Sequence, residues 1–211
     1  MTDLKGIRIV YAMTGSFCTF SKSFRQMENL IALGADIQPL MSFNASTIDT
    51  RFGKASEHIA YAEKLSGKKV ITDISGAEPI GPKHMADIVL VAPCTGNTLA
   101  KISNNIIDTS VTMAIKSHLR NSGAVVLCIA TNDGLAGSAK NIGKIMNNRN
   151  IYFVPFRQDD CINKPSSLVA DFSLIPDTIE NALQKKQIQP ILRQGAASDF
   201  ECFDLSKRSG R

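Results

Sequence analysis

Tryptophan is absent from this chain of 211 residues and tyrosine occurs three times, so aromatic residues make up only 6% of it. Few side chains are therefore available on which nucleobases could stack. Lys and Arg outnumber Asp and Glu by 24 to 19, a mild excess scattered along the chain rather than gathered into a stripe. The two features argue against a nucleic-acid partner. No apolar run approaches the roughly 20 residues that cross a bilayer, and no apolar core follows the opening Thr2-Asp3-Leu4-Lys5-Gly6. A cytoplasmic protein with no membrane partner is expected. Three histidines without ligand spacing, and an isolated Asp159-Asp160 pair, offer no metal site. Five cysteines at wide spacings read as free thiols in a reducing compartment. A Gly-x-Gly-x-x-Gly fingerprint is missing after the first apolar segment, and no Walker lysine follows Gly15.

What is present is an alternation of strand and helix signals. Hydrophobic content of 44% and charged content of 20% suit a globular domain. Six strands are expected, at Ile7 to Met13, Ile37 to Met41, Val70-Ile71, Ile88 to Ala92, Ala124 to Ile129 and Ile151 to Val154. Pro93 has no donor for a ladder, so the fourth strand should stop there. Ser21 is a plausible cap for the first helix, which Gly34 ends; Lys54 to Leu65 is a helix closed by Gly67. Further helices follow Asn97, run from about Asp108 to Leu119 and from Ser138 to Met146, and start at Pro176. Phe156 to Ser167 reads as a long polar connection. Strand alternating with helix means a three-layer α/β sandwich with a parallel sheet. One domain over residues 1–193 is expected, with residues 194–211 a flexible tail that lacks periodicity.

Parallel strands place their C-terminal loops on one edge, where ligands of open α/β sheets bind. Four of these loops are rich in hydroxyl, amide and glycine: Thr14, Gly15 and Ser16; Ser42 and Asn44; Thr95, Gly96 and Asn97; Thr131 and Asn132. Any one of them is explained as an ordinary turn. Together they suit a neutral, hydrogen-bonding ligand such as a flavin ring more than a metal. Gly15 and Ser16 are placed to hold a phosphate, or a sulfate in its stead. Among other candidates, Cys94 reads as a small buried thiol and His58 as a solvated side chain. His118 shares a stripe with Val111, Ile115 and Leu119 and reads as packed or as interface.

Thr14-Gly15-Ser16 and Ala92-Pro93-Cys94-Thr95-Gly96-Asn97-Thr98 resemble signatures of the flavoprotein family of cysteine decarboxylases. Cys128-Ile129-Ala130-Thr131-Asn132 resembles that family's substrate-holding Pro-Ala-Met-Asn segment. More narrowly, Ser42-Phe43-Asn44, Thr50-Arg51-Phe52-Gly53, Glu78-Pro79-Ile80-Gly81-Pro82-Lys83, Phe156-Arg157-Gln158-Asp159-Asp160 and Gln189-Pro190-Ile191-Leu192 resemble the B-subunit family of dipicolinate synthases. The resemblance implies a Rossmann-like fold, here six parallel strands in the order 3-2-1-4-5-6, and FMN, weakly held, in homotrimers or multiples of trimers. It implies cofactor contacts from Thr14, Gly15, Ser16, Phe17, Ser42, Asn44, Thr95, Gly96, Asn97, Thr98 and Thr131. Asn97 and Asn132 are then the residues facing the reacting centre.

The departures narrow the chemistry. Counting back from Met85-Ala86-Asp87, the position of the decarboxylase histidine is Pro79, and His84 is out of register. Ile129 and Thr131 replace the proline and methionine of the substrate segment. Decarboxylation is therefore disfavoured while flavin binding survives. The activity implied is a sporulation reaction, dehydrogenation of a dihydropyridine-2,6-dicarboxylate to dipicolinate, with an A subunit that carries NADP. Arg51, Lys101 and Arg157 are the candidates for holding the substrate carboxylates, with Lys83 and Lys164 as further cations. The alternatives are a non-catalytic FMN-binding assembly subunit and a phosphopantothenoylcysteine-type decarboxylase.

Overall fold

The computed structural model describes residues 3–193. The expected tail, 194–211, lies outside the described residues. The elements in chain order are β1 (Arg8–Met13), α1 (Phe20–Ala32), β2 (Asp36–Met41), α2 (Phe43–Thr47), α3 (Ala55–Ser66), α4 (Ile74–Ala77), β3 (Ile88–Cys94), α5 (Gly96–Ser103), α6 (Ser110–Leu119), β4 (Ala124–Thr131), α7 (Ala139–Met146), β5 (Ile151–Phe153), β6 (Phe156–Asp160), β7 (Lys164–Ala170) and α8 (Ile175–Leu183).

β2, β1, β3, β4 and β5 lie side by side and parallel. Val70-Ile71 contributes only an isolated parallel bridge, Ile71 to Leu40, outside β2. The expected order therefore holds along this part of the sheet, although its third member is too short to be a strand. The expectation of six strands, all parallel, does not hold. Residues 156–170 form a hairpin, β6–β7, and β7 runs antiparallel to the end of β4 through Ala130–Val169 and Thr131–Leu168. β4 is long enough to pair with β5 at 125–127 and with β7 at 130–131, so the sheet has seven strands. The hairpin escaped sequence reading because much of it is exposed; an alternation this irregular, with Pro165 inside β7, resembles a loop. β3 does not stop at Pro93 but runs to Cys94, and its register with β4 shifts between Val91 and Cys94 where Pro93 offers no N–H.

β3 is buried along its whole length and β4 along all but its last residue, which is why both read as continuous aliphatic runs. α1, α3 and α8 pack on one face of the sheet, and α5, α6 and α7 on the other. Tyr11, fully buried in β1, donates its hydroxyl to the Ser23 carbonyl at 2.8 Å, and the Ser23 hydroxyl donates to the Ala92 carbonyl at 2.6 Å. This relay joins β1, α1 and β3 without leaving a buried polar atom unpaired. At the other end of the strands, the Arg8 guanidinium grips Asp87 at 2.7 and 3.1 Å and holds its carboxyl below the usual range.

Several local expectations need correction. α1 is capped at Thr19 and takes Ser21 inside its first turn. His58 is not solvated: its ring lies between Phe20 and Phe24, and Nε2 is buried without a hydrogen-bond partner. Val111, Ile115 and His118 are core rather than interface, with His118 only 5% exposed. Gly67 does close α3, in the left-handed region at φ 69°.

His118 makes the fold pH-sensitive. Burial is the largest cause holding its imidazole below the usual histidine value of 6.5, and burial lowers His58 in the same way. The unfolded chain therefore takes up protons first as pH falls. The stability contributed by the neutral rings is full above the unfolded value and is lost as pH drops through it. Melting temperature should fall between about pH 7.5 and pH 5.5, and His118→Leu should flatten that decline. An unchanged slope in the variant would remove His118 as a cause.

Candidate active site

The C-terminal ends of β1, β3 and β4, closed on one side by β7, surround a cleft of about 700 Å3. Thr14 is the pin beneath it. Its hydroxyl donates to the Pro93 carbonyl at 2.8 Å and accepts from the Thr95 N–H at 3.0 Å. The loops after β1 and β3 are thereby locked together. Thr14 is 1% exposed and does not line the cleft, so its part is to hold the floor. Thr98 is likewise buried; it bonds Thr95, whose side chain caps α5 by accepting from the Thr98 N–H.

Of the residues expected to bind a ligand, Gly15, Ser16, Phe17, Thr95, Gly96, Asn97, Thr131 and Asn132 do line this one cleft. The side chains of Asn97 and Asn132 are exposed there. Ser42 and Asn44 stand beside it rather than in it: Ser42 caps α2, and Asn44 Cβ is 3.7 Å from where a side chain on Gly15 would begin. The 3-10 turn at 17–19 brings a cluster of amides to the cleft. Among the described residues, the N–H groups of Gly15, Phe17 and Cys18 donate to no acceptor. Such unspent amides at a helix start form an anion cradle.

The carboxylate candidates divide. Arg51 lines the cleft, its guanidinium 4.9 Å above the Phe52 ring. Lys101 does not; both oxygens of Asp108 hold its ammonium at 2.7 Å. Arg157 is also outside the lining and donates to the Gln158 carbonyl at 3.5 Å. Lys164, whose ammonium pairs with Asp159 at 2.9 Å, does line the cleft.

Two charged lining residues were not singled out from sequence, Lys22 and Asp133. Lys22 looked like any surface lysine of an amphipathic helix. Among the described residues neither Lys22 nor Arg51 makes an ion pair. Asp133 Oδ1 accepts from the hydroxyls of Thr131 at 2.5 Å and Ser138 at 2.8 Å. These bonds, the Thr131 one first, hold its carboxyl below the usual range. The only signal for it in the sequence is its place directly after Thr131-Asn132.

Gly96 opens α5 against this network. A Cβ there would lie 2.6 to 2.8 Å from Ser138 Oγ, Thr131 Oγ1 and Asp133 Oδ1. The position needs glycine for space rather than for backbone freedom. Gly96→Ala should therefore cost about 1–3 kcal/mol through overpacking, read as a lowered unfolding midpoint in urea. A midpoint equal to that of the unsubstituted chain would show that the three oxygens are not fixed.

A Rossmann-like sheet with a polar cleft at its strand ends and an amide cradle after β1 defines the class. The Flavoprotein family matches residues 1–183, and the chain belongs to that family. The B subunit of dipicolinate synthase from Bacillus subtilis (strain 168) is 45% identical over 91% of this chain and 96% of its own length. The crystal structure of the dipicolinate synthase B subunit from Bacillus halodurans superposes with a TM-score of 0.84 at 40% identity, covering 92% of this chain and all of that one. The fold alone is shared with the FMN-dependent cysteine decarboxylase SpaF, at a TM-score of 0.62 and 19% identity over 85% of this chain and 98% of that one.

Proposed function

We propose that this chain is the FMN-binding B subunit of a dipicolinate synthase, dehydrogenating a dihydropyridine-2,6-dicarboxylate to pyridine-2,6-dicarboxylate together with an A subunit that carries NADP. The observation that carries the reading is the meeting, in one cleft, of the amide cradle at 15–18 with Lys22 and Arg51, cations that make no ion pair among the described residues. The likeness to the Bacillus subtilis protein over nearly the whole chain supports it.

The residues present fit FMN. The cleft's volume of about 700 Å3 is in the range of cofactor pockets. The amides of Gly15, Phe17 and Cys18 and the Ser16 hydroxyl would take the phosphate, with Ser42 and Asn44 adjacent. Thr95, Gly96, Asn97 and Thr131 would border the ring, and the lining rings of Phe17 and Phe52 offer it apolar contact. FMN when bound supplies the acceptor for two electrons.

The chain's own part is orientation and charge. Arg51 would hold one substrate carboxylate through its planar fork and Lys22 the other as a point charge. Asn97 and Asn132 can donate and accept hydrogen bonds but cannot move a proton at neutral pH. Pro79 lies in the 3-10 turn at 78–80 and has no titratable group, so the decarboxylase base has no counterpart there. Aromatisation of the ring drives the reaction forward. The reading also includes a cytoplasmic assembly of trimers or multiples of trimers. Phe43, 68% exposed, and Phe52, 44% exposed, would be covered by a neighbouring copy.

Reconstitution tests the reading. The purified chain with FMN and an A subunit should form dipicolinate from the dihydropyridine substrate, and should release no carbon dioxide from a phosphopantothenoylcysteine-type substrate. Ser16→Asp should abolish flavin retention by placing a like charge at the phosphate. Robust carbon dioxide release, or undiminished FMN affinity in the variant, would contradict the assignment.

A further inference from the structure

Arg51 reaches the cleft on a turn that is seated on an aromatic ring. Thr50 and Gly53 exchange two backbone hydrogen bonds of 3.1 Å, and the Thr50 hydroxyl accepts from the Phe52 N–H at 3.1 Å. The turn is therefore closed on itself, and it carries Arg51 and Phe52 together into the cleft lining. At its base Asp49 accepts from the Ala55 N–H at 2.8 Å, which ties the entry of the turn to the start of α3. The exit of the turn lies on His58, in the first turn of α3. Gly53, at φ 130°, comes so close that a Cβ there would stand 2.7 Å from His58 Cε1 and 2.9 Å from Nε2.

The His58 ring also meets Phe20 edge-on, with 4.9 Å between centroids, and stacks on Phe24 at 5.8 Å. Phe20 in turn packs against Phe17 at 5.2 Å, and Phe17 belongs to the amide cradle and lines the cleft. A row of rings, Phe17, Phe20 and His58, thus runs from the cradle to the Arg51 turn. His58 Nε2 is buried without a hydrogen-bond partner, so the ring is placed there by contact and not by a directional bond. A buried nitrogen left unpaired weakens the core around it, and stability does not explain an imidazole at this position.

Resting on the dicarboxylate reading of the cleft, we infer that His58 is a positioning residue: its ring sets the place of the Arg51 turn relative to the cradle, so that the guanidinium meets a substrate carboxylate beside the flavin. His58 does not line the cleft and acts through Arg51 alone. A planar fork grips a carboxylate bidentately over a narrow range of distance and angle. A shift of about 1 Å in such a group is enough to lose most of its effect. The row of rings fixes that distance from the phosphate side of the cleft, because Phe20 supports the cradle turn and His58 at once.

The test is a double-variant cycle, read as the affinity of the full chain loaded with FMN for pyridine-2,6-dicarboxylate at neutral pH. Arg51→Gln should weaken that binding about tenfold or more through loss of the bidentate pair. His58→Ala removes the seat of the turn and should weaken it about fivefold or more, with FMN affinity as before. In the Arg51→Gln background His58→Ala should cause no further loss, because the ring acts only through Arg51. Gly53→Ala, which presses on the same ring from the turn, should repeat both results and decides the matter if His58→Ala does not fold. A purely structural His58 would lower dicarboxylate and FMN affinity together, or would cost as much without Arg51 as with it. Either result, or undiminished dicarboxylate binding by His58→Ala, would overturn the inference and leave the dicarboxylate reading standing. Undiminished binding by Arg51→Gln would overturn the inference together with the place of Arg51 in that reading. Binding of no dicarboxylate by the unsubstituted chain would overturn both.

Discussion

Parallel pairing of β1 with β3 and of β3 with β4 is the constraint on which the rest of the molecule depends. It requires every connection to cross a face of the sheet in a helix, and it brings the ends of all three strands to one edge. Thr14 then sets the spacing of the first two loops to hydrogen-bond precision through Pro93 and Thr95. The cleft is thus built by the strongest part of the fold. The lining residues at 15–19, 95–97 and 131–133 follow the buried strands β1, β3 and β4 directly, the arrangement that positions a site most accurately.

The cleft is electrostatically lopsided. Amides and the cations Lys22 and Arg51 attract anions, while of the two lining carboxylates Asp159 is paired with Lys164 and Asp133, which accepts from two hydroxyls, stands beside the start of α5. That placement favours Asp133 independently of any ligand, because the first N–H groups of a helix carry partial positive charge. It also means that the two helix starts at the strand ends are not equivalent. The one after β1 is open to a phosphate, whereas the one after β3 already has a negative charge nearby. On the proposed reading, in which the ligands carry both phosphate and carboxylate groups, such asymmetry favours one orientation.

Much of this was legible in the sequence, for reasons that particular residues make plain. Val89, Leu90 and Val91, or Val125 to Cys128, are buried on both faces of the sheet and so form continuous apolar runs. The polar residues following them could be assigned to one edge once the strands were taken as parallel. The hairpin 156–170 was not legible, because much of its surface faces solvent. Lys101 could not be separated from Arg51 by sequence: what removes it is Asp108, folded back onto it from seven residues away. His58 looked solvated because its shelter, the rings of Phe20 and Phe24, lies more than thirty residues earlier in the chain. Asp133 depends on Gly96 and Ser138 at once, a juxtaposition that no local pattern encodes.

The central claim is that the amides after β1 hold the phosphate of a flavin. Comparing the affinity of the purified chain for FMN with that for riboflavin, which lacks only the phosphate, tests it most directly. Charge-assisted bonds from several amides should make FMN bind about a hundredfold tighter or more, and the difference should shrink when inorganic phosphate competes. Equal affinities for the two flavins, or binding of neither, would contradict the account.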